Sequence, residues 1–186
     1  MAAAVGTRLV VYLEDAPGSD RPLDYQHAVR QDLVIRYAAA GDWSADPERL
    51  VAGPGAWRYV DVLLRRMRTR ELAVVEVWDF IDDVGAGLRG LADKVERIRG
   101  LDPGWSVSGL LVVRATQQNR RLVTQLSAIF ATNLPASSRA WLRALSEPEG
   151  RMPAGRGLVW SDVRGTRLFA SNLSRRQRVA LSHSAP

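Results

Sequence analysis

The sequence predicts an α/β sandwich in which helices flank a mixed central sheet. Three observations carry this. The patterned segments run helix, strand, hairpin, helix, buried strand, helix, short strands, an alternation that builds layered α/β architecture. Two strand-like segments, Trp57 to Arg66 and Glu71 to Phe80, are joined by a tight arginine-rich turn around Arg68-Thr69-Arg70, which is a hairpin signal. The run Ser108 to Arg114, SGLLVVR, is continuously apolar, as a strand covered on both faces must be.

Each element follows from a local pattern. Asp20 is a candidate N-cap for a first helix that runs to about Ala40. Tyr25, Val29, Leu33 and Tyr37 form its apolar stripe, and Gly41 stops it. Trp43 to Val51 reads as an irregular strand interrupted by Pro47, followed by a Gly53-Pro54-Gly55 turn and then the hairpin. From Asp82 to about Arg99, Val84, Leu88, Leu91, Val95 and Ile98 step by four and three, so a second helix buries that face. Gly100 and Pro103 end it. After the buried strand, Thr116 can cap a helix with Leu122, Leu126, Ile129 and Phe130 inward. Arg139 to Leu145 and Gly157 to Ser161 read as two more short strands.

With 186 residues, the chain has room for one domain and short appendages. The expected division is an N-terminal extension over 1–22, the domain over 23–163, and a basic, flexible tail over 164–186. The chain has no cysteine and only His27 and His183 as imidazoles, which excludes thiolate chemistry and multi-histidine zinc sites. The apolar run Leu9 to Leu13 meets Glu14 and Asp15 after five residues, too short for a membrane span, so a cytoplasmic protein with no membrane partner is expected. The net charge of +6 suits a polyanion such as DNA. Twenty-five of the 26 cations are arginine, which singles out the one lysine, Lys94.

The hairpin carries the chemistry. Val74, Glu76 and Trp78 share one face of the second strand, while Tyr59, Asp61 and Leu63 share one face of the first. Both carboxylates are embedded in apolar sequence, so each needs a cation, a donor or a metal. A feasible antiparallel register brings them together, where they repel unless a divalent cation lies between them. With oxygen ligands only, that cation is Mg²⁺ or Mn²⁺. Read singly, Asp61 is a solvent-facing edge residue and Glu76 the partner of an arginine; their joint placement favours a site. Asp79, Asp82 and Asp83 place negative charge at a helix N-terminus. His27 and Gln26 are assigned to core or supporting positions on the first helix, and Arg65, Arg66, Arg68 and Arg70 form a candidate phosphate-holding cluster.

Asp61, then fourteen residues, then Glu76-Val77-Trp78 resembles the signature of the PD-(D/E)XK, restriction-endonuclease-like nuclease superfamily. More narrowly, the chain is similar to the nuclease-like domain that in actinobacteria often follows a helix-turn-helix regulator module. Asp93-Lys94, RAWLR from Arg139 and GLVWSD from Gly157 also look like that group. The resemblance spans roughly Leu23 to Val163 and implies a restriction-endonuclease-like sandwich with Asp61 and Glu76 as metal ligands. Trp78 departs from it, standing where the family's catalytic lysine belongs. An indole cannot orient a water or offset phosphorane charge. Lys94, about 80° from the centre of its helix's apolar stripe, can reach back toward the sheet and substitute. The narrower group, which carries lysines in both places, implies instead a separate role for Lys94 and simple loss of the other lysine.

The leading expectation from this departure is a degenerate nuclease-like domain that binds DNA or a regulatory protein partner with little or no cleavage. The alternative is a working Mg²⁺-dependent endonuclease using Asp61, Glu76 and the displaced Lys94. A third is an α/β protein-interaction domain with no site. Backbone contacts alone carry no base information, so any sequence specificity is expected from a partner.

Overall fold

The computed structural model describes residues 21–51 and 58–171. The Asp20 cap, the N-terminal extension through Asp20, the Gly53-Pro54-Gly55 turn and the tail beyond Ser171 lie outside the described residues. Among those described, helix α1 spans Arg21–Ala39 and strand β1 Ser44–Val51. Strands β2 (Arg58–Arg66) and β3 (Glu71–Trp78) form the hairpin, α2 (Val84–Leu101) follows, and then β4 (Ser106–Arg114). Helices α3 (Gln117–Gln125), α4 (Ser127–Asn133) and α5 (Ser138–Ser146) precede β5 (Gly157–Ser161) and β6 (Leu168–Ala170).

The six strands form one sheet in chain order, β1-β2-β3-β4-β5-β6. β1, β2 and β3 make an antiparallel meander, β4 runs parallel to β3 and to β5, and β6 closes antiparallel. The fold is thus the mixed α/β class that the sequence predicts. One face packs Leu88, Leu91, Val95 and Ile98 of α2, with Val123 and Phe130, onto Leu63, Leu72, Val74 and Leu111. The other packs Leu33, Val34 and Ala38 of α1 and Trp141 and Leu145 of α5 onto Val62, Leu64, Val75 and Val77. β4, buried between parallel neighbours, is the continuous apolar run for that reason.

Several expectations are corrected. Arg139 to Leu145 is helix α5, not a strand: Ser138, Trp141, Ala144 and Leu145 are its buried residues, a 3.6-residue spacing that a short window also lets pass as alternation. Trp43 to Val51 yields one strand, β1, and it is irregular beside Pro47 as expected: Glu48 has a φ of 50°, and the register with β2 passes from Pro47↔Val62 to Arg49↔Val60 without it. As an edge strand, β1 can also spare the N–H that Pro47 lacks. On α1 the stripe is rotated: Tyr25 is 68% exposed, while Arg30, Gln31, Leu33, Val34 and Ala38 are buried. The helix after Thr116 divides in two. Asn119, Val123 and Phe130 are inward there, whereas Ile129 is exposed. The sheet also continues past 163, since β6 pairs with β5 through Ser161↔Leu168. No helix among the described residues is long and apolar enough to cross a membrane.

Candidate active site

The β2–β3 ladder runs from Arg66↔Glu71 to Val62↔Val75. One position further the Asp61 carboxylate accepts the Val77 backbone N–H at 2.6 Å, so a side chain takes over where the next backbone rung would form. Continuing the register sets Asp61 across from Glu76. On the other side, Pro47↔Val62 and Arg49↔Val60 bracket Glu48 against Asp61. Glu48, Asp61 and Glu76 therefore make a row of three carboxylates across three neighbouring strands. Like charges in facing positions repel, so the row requires cations.

They come from both helix layers. From α1, His27 Nε2 lies 3.5 Å from Asp61 Oδ2 and its Nδ1 3.5 Å from Asp79 Oδ2. The hydrogen bonds to Asp61 and then Asp79 outweigh burial and push the imidazole up to about 10, so it is an imidazolium at neutral pH. The fully buried Arg30 pairs with Asp79 at 2.8 Å and donates to Ser161 Oγ at 2.9 Å. From α2, Lys94 Nζ ion-pairs with Glu76 Oε2. Burial, followed by the Asp61 charge, pushes the Glu76 carboxyl up to about 7 against the pull of Lys94. Its second oxygen, Oε1, is buried with no hydrogen-bond partner.

The structure thus brings Asp61, Glu76 and Lys94 into one neighbourhood. Trp78 lies on the Glu76 face, packed against α2 where a Cβ on Gly87 would stand 2.2 Å from the indole Cζ2. A bare α-carbon at Gly87 lets the ring fill the space beside α2, at the position where the PD-(D/E)XK resemblance leads one to expect a lysine. Asp83 caps α2, accepting from the Ala86 N–H at 2.8 Å, as the sequence suggests. Asp79 does not serve that helix end: it is buried against His27 and Arg30. The arginine cluster is also divided, since Arg66 is buried against Glu71 at the hairpin's far end from Asp61.

Sequence reasoning missed Arg30 and Glu48. Arg30 follows Val29 in the apolar pattern and looks like an outward cation; Glu48 lies in a segment whose pattern is broken by Pro47. For the divalent cation that the family resemblance implies, the donor chemistry fits: carboxylates suit a hard cation, and Glu76 Oε1 is a buried oxygen without a partner. Among the described residues, the ligand atoms that converge within 4.8 Å of one another belong to His27, Glu48 and Asp61. Glu76 is outside that set. No protein-family model matches the chain, and neither does any curated protein or solved structure.

Proposed function

We propose that this chain is a divalent-cation-dependent phosphodiesterase acting on nucleic acid, in which Lys94 takes the role left open by Trp78. The observation that carries this is the Lys94–Glu76 ion pair, formed from α2 at the position facing Asp61. The order helix, three-strand meander, helix and parallel fourth strand also agrees with the core that the PD-(D/E)XK resemblance implies.

The chain's own groups suit the chemistry. Lys94 supplies an ammonium donor that can orient a water and offset the charge building on a pentavalent phosphorus. Glu76 places one oxygen on Lys94 and leaves its buried Oε1 free to receive a cation. Asp61 is held in place by the Val77 N–H and His27. A bound cation, held by Asp61 and Glu76, would supply charge neutralisation at the phosphoryl oxygens. Arg58 and Arg89 flank this end of α2 and add positive charge for a phosphate backbone.

A second reading, a domain that binds DNA or a regulatory protein without cleaving, is favoured by one observation: His27 and Lys94 already neutralise the carboxylates with no metal. Nicking of supercoiled plasmid in Mg²⁺ or Mn²⁺ separates the two. The proposal expects nicking by the wild type, its loss in Lys94→Met, and little retained in Lys94→Arg, because a guanidinium does not reproduce the ammonium's reach. An inert, folded wild type that still binds DNA with steep salt dependence favours the second reading.

A further inference from the structure

We infer that His27 and Glu48 join Asp61 in holding the cation, giving a mixed nitrogen–oxygen site that takes Mn²⁺ or a related transition metal in preference to Mg²⁺. This rests on the cation-dependent reading of the same site and goes beyond the two carboxylates from which that reading starts.

Geometry supports it first. One ligand atom from each of His27, Glu48 and Asp61 lies within 4.8 Å of the other two. Ligand atoms around one ion with bonds of about 2.1 Å sit up to about 4.2 Å apart, so small side-chain movements close the set. The three come from three separate elements, α1, β1 and β2, and each of those elements is anchored in the sheet or the core.

The second support is the orientation of Glu48. Its Oε1 accepts a hydrogen bond from Gln31 Nε2, and that same nitrogen lies 3.3 Å from the Asp61 carbonyl oxygen. Gln31 is only 8% exposed. A buried amide is thus committed to turning an exposed glutamate toward Asp61, although repulsion between facing carboxylates favours turning it to solvent.

The third is independent of that trio. Glu76, the next carboxylate in the row, is 9% exposed and its Oε1 has no partner. An acceptor-only oxygen buried without a donor is costly, so the carboxylate row carries more negative charge than His27 and Lys94 satisfy, which a cation on the neighbouring Asp61 would offset. The choice of metal follows from the donors. Binding would displace the proton from His27 Nε2, which faces Asp61, while Nδ1 stays on Asp79. The neutral imidazole nitrogen among carboxylates then suits Mn²⁺, Co²⁺ or Zn²⁺, whereas Mg²⁺ favours oxygen throughout.

The test uses Mn²⁺ with the full chain. Calorimetry should show Mn²⁺ binding more tightly than Mg²⁺, and pulsed electron paramagnetic resonance should show modulation from a directly bonded ¹⁴N. His27→Gln should abolish that modulation, and both it and Glu48→Gln should weaken Mn²⁺ by about 10- to 100-fold, with circular dichroism confirming the fold. Glu48 is exposed, so its variant remains informative if His27→Gln fails to fold. A wild type without Mn²⁺ binding or without ¹⁴N modulation overturns the inference. If binding is lost in Asp61→Asn and Glu76→Gln but unchanged in His27→Gln and Glu48→Gln, the inference falls and the nuclease reading stands. A wild type that binds Mn²⁺ through His27 and Glu48 yet nicks no plasmid leaves the inference standing and overturns the nuclease reading.

Discussion

The β2–β3 hairpin buries a charged pair at each end, and the two ends are satisfied very differently. At the turn, Arg66 Nε donates to Glu71 Oε2 at 2.8 Å and Thr69 Oγ1 to the same oxygen at 2.6 Å, while the Met152 N–H supplies Oε1 at 3.2 Å. Arg66 further reaches the carbonyls of Gly41, Ala144 and Gly150 and stacks 4.4 Å above the Trp43 ring. Every polar atom of the Glu71 carboxylate is used. At the other end, Glu76 keeps one oxygen without a partner, and its carboxyl is pushed up to about 7 by burial and by Asp61. A saturated pair locks the meander to α5 and the loop behind it. The unsaturated one leaves a buried acceptor that, on the proposed function, a ligand would satisfy.

The strongest way to break this contrast is to cut the saturated end. Arg66→Met leaves Glu71 buried without its cation and should cost about 3–5 kcal/mol, measured by urea denaturation; replacing Glu71 with leucine as well should recover part of it. A loss under about 1 kcal/mol would place the turn on the same footing as the site. Trp78→Lys comes next, with an expected loss of about 2–4 kcal/mol as the indole leaves Gly87. Since Lys94 already serves Glu76, this variant should not nick plasmid faster than the wild type; a clear gain would mean that Lys94 does not replace the missing lysine.

Glu76→Gln should have a smaller effect on stability, within about 1 kcal/mol of wild type or slightly stabilising at pH 8, because it removes an incompletely satisfied buried charge while Lys94 can turn its ammonium to water. Nicking should nonetheless fall by about 10²- to 10⁴-fold. The remaining effect is a slope with pH. His27 is raised from 6.5 to about 10, so its stabilisation is complete below pH 6.5 and is lost as pH rises through 10. Glu76, raised from 4.5 to about 7, has the same sign and loses its contribution between pH 4.5 and 7. Melting temperature should therefore decline from pH 7 to 10 in the wild type and flatten over that range in His27→Gln; an unchanged slope would remove the imidazolium from the site.

Much of this was legible locally. The stripe Leu88, Leu91, Val95, Ile98 forms α2 as its spacing requires, and the apolar run through β4 forms a strand covered on both faces. Asp61 and Glu76 were legible because charged residues inside apolar strands are costly anywhere, and Lys94 because one lysine among arginines stands out. Periodicity over seven residues was not enough at α5, where a helix and a strand both explain Trp141 and Leu145 until packing chooses.

By itself, then, the amino-acid order determined what neighbours along the chain can decide: the α/β class, the hairpin, the faces of α2 and β3, and the presence of carboxylates that need partners. The partners themselves were decided only in three dimensions. Arg30 with Asp79, His27 between Asp61 and Asp79, Glu48 facing Asp61, and Arg66 with Glu71 and the carbonyls of a distant loop depend on strand register and on how α1 is rotated over the sheet. Neither leaves a local trace. A charge is satisfied by whatever lies within a few ångströms of it, and most of those groups are tens of residues away in the chain.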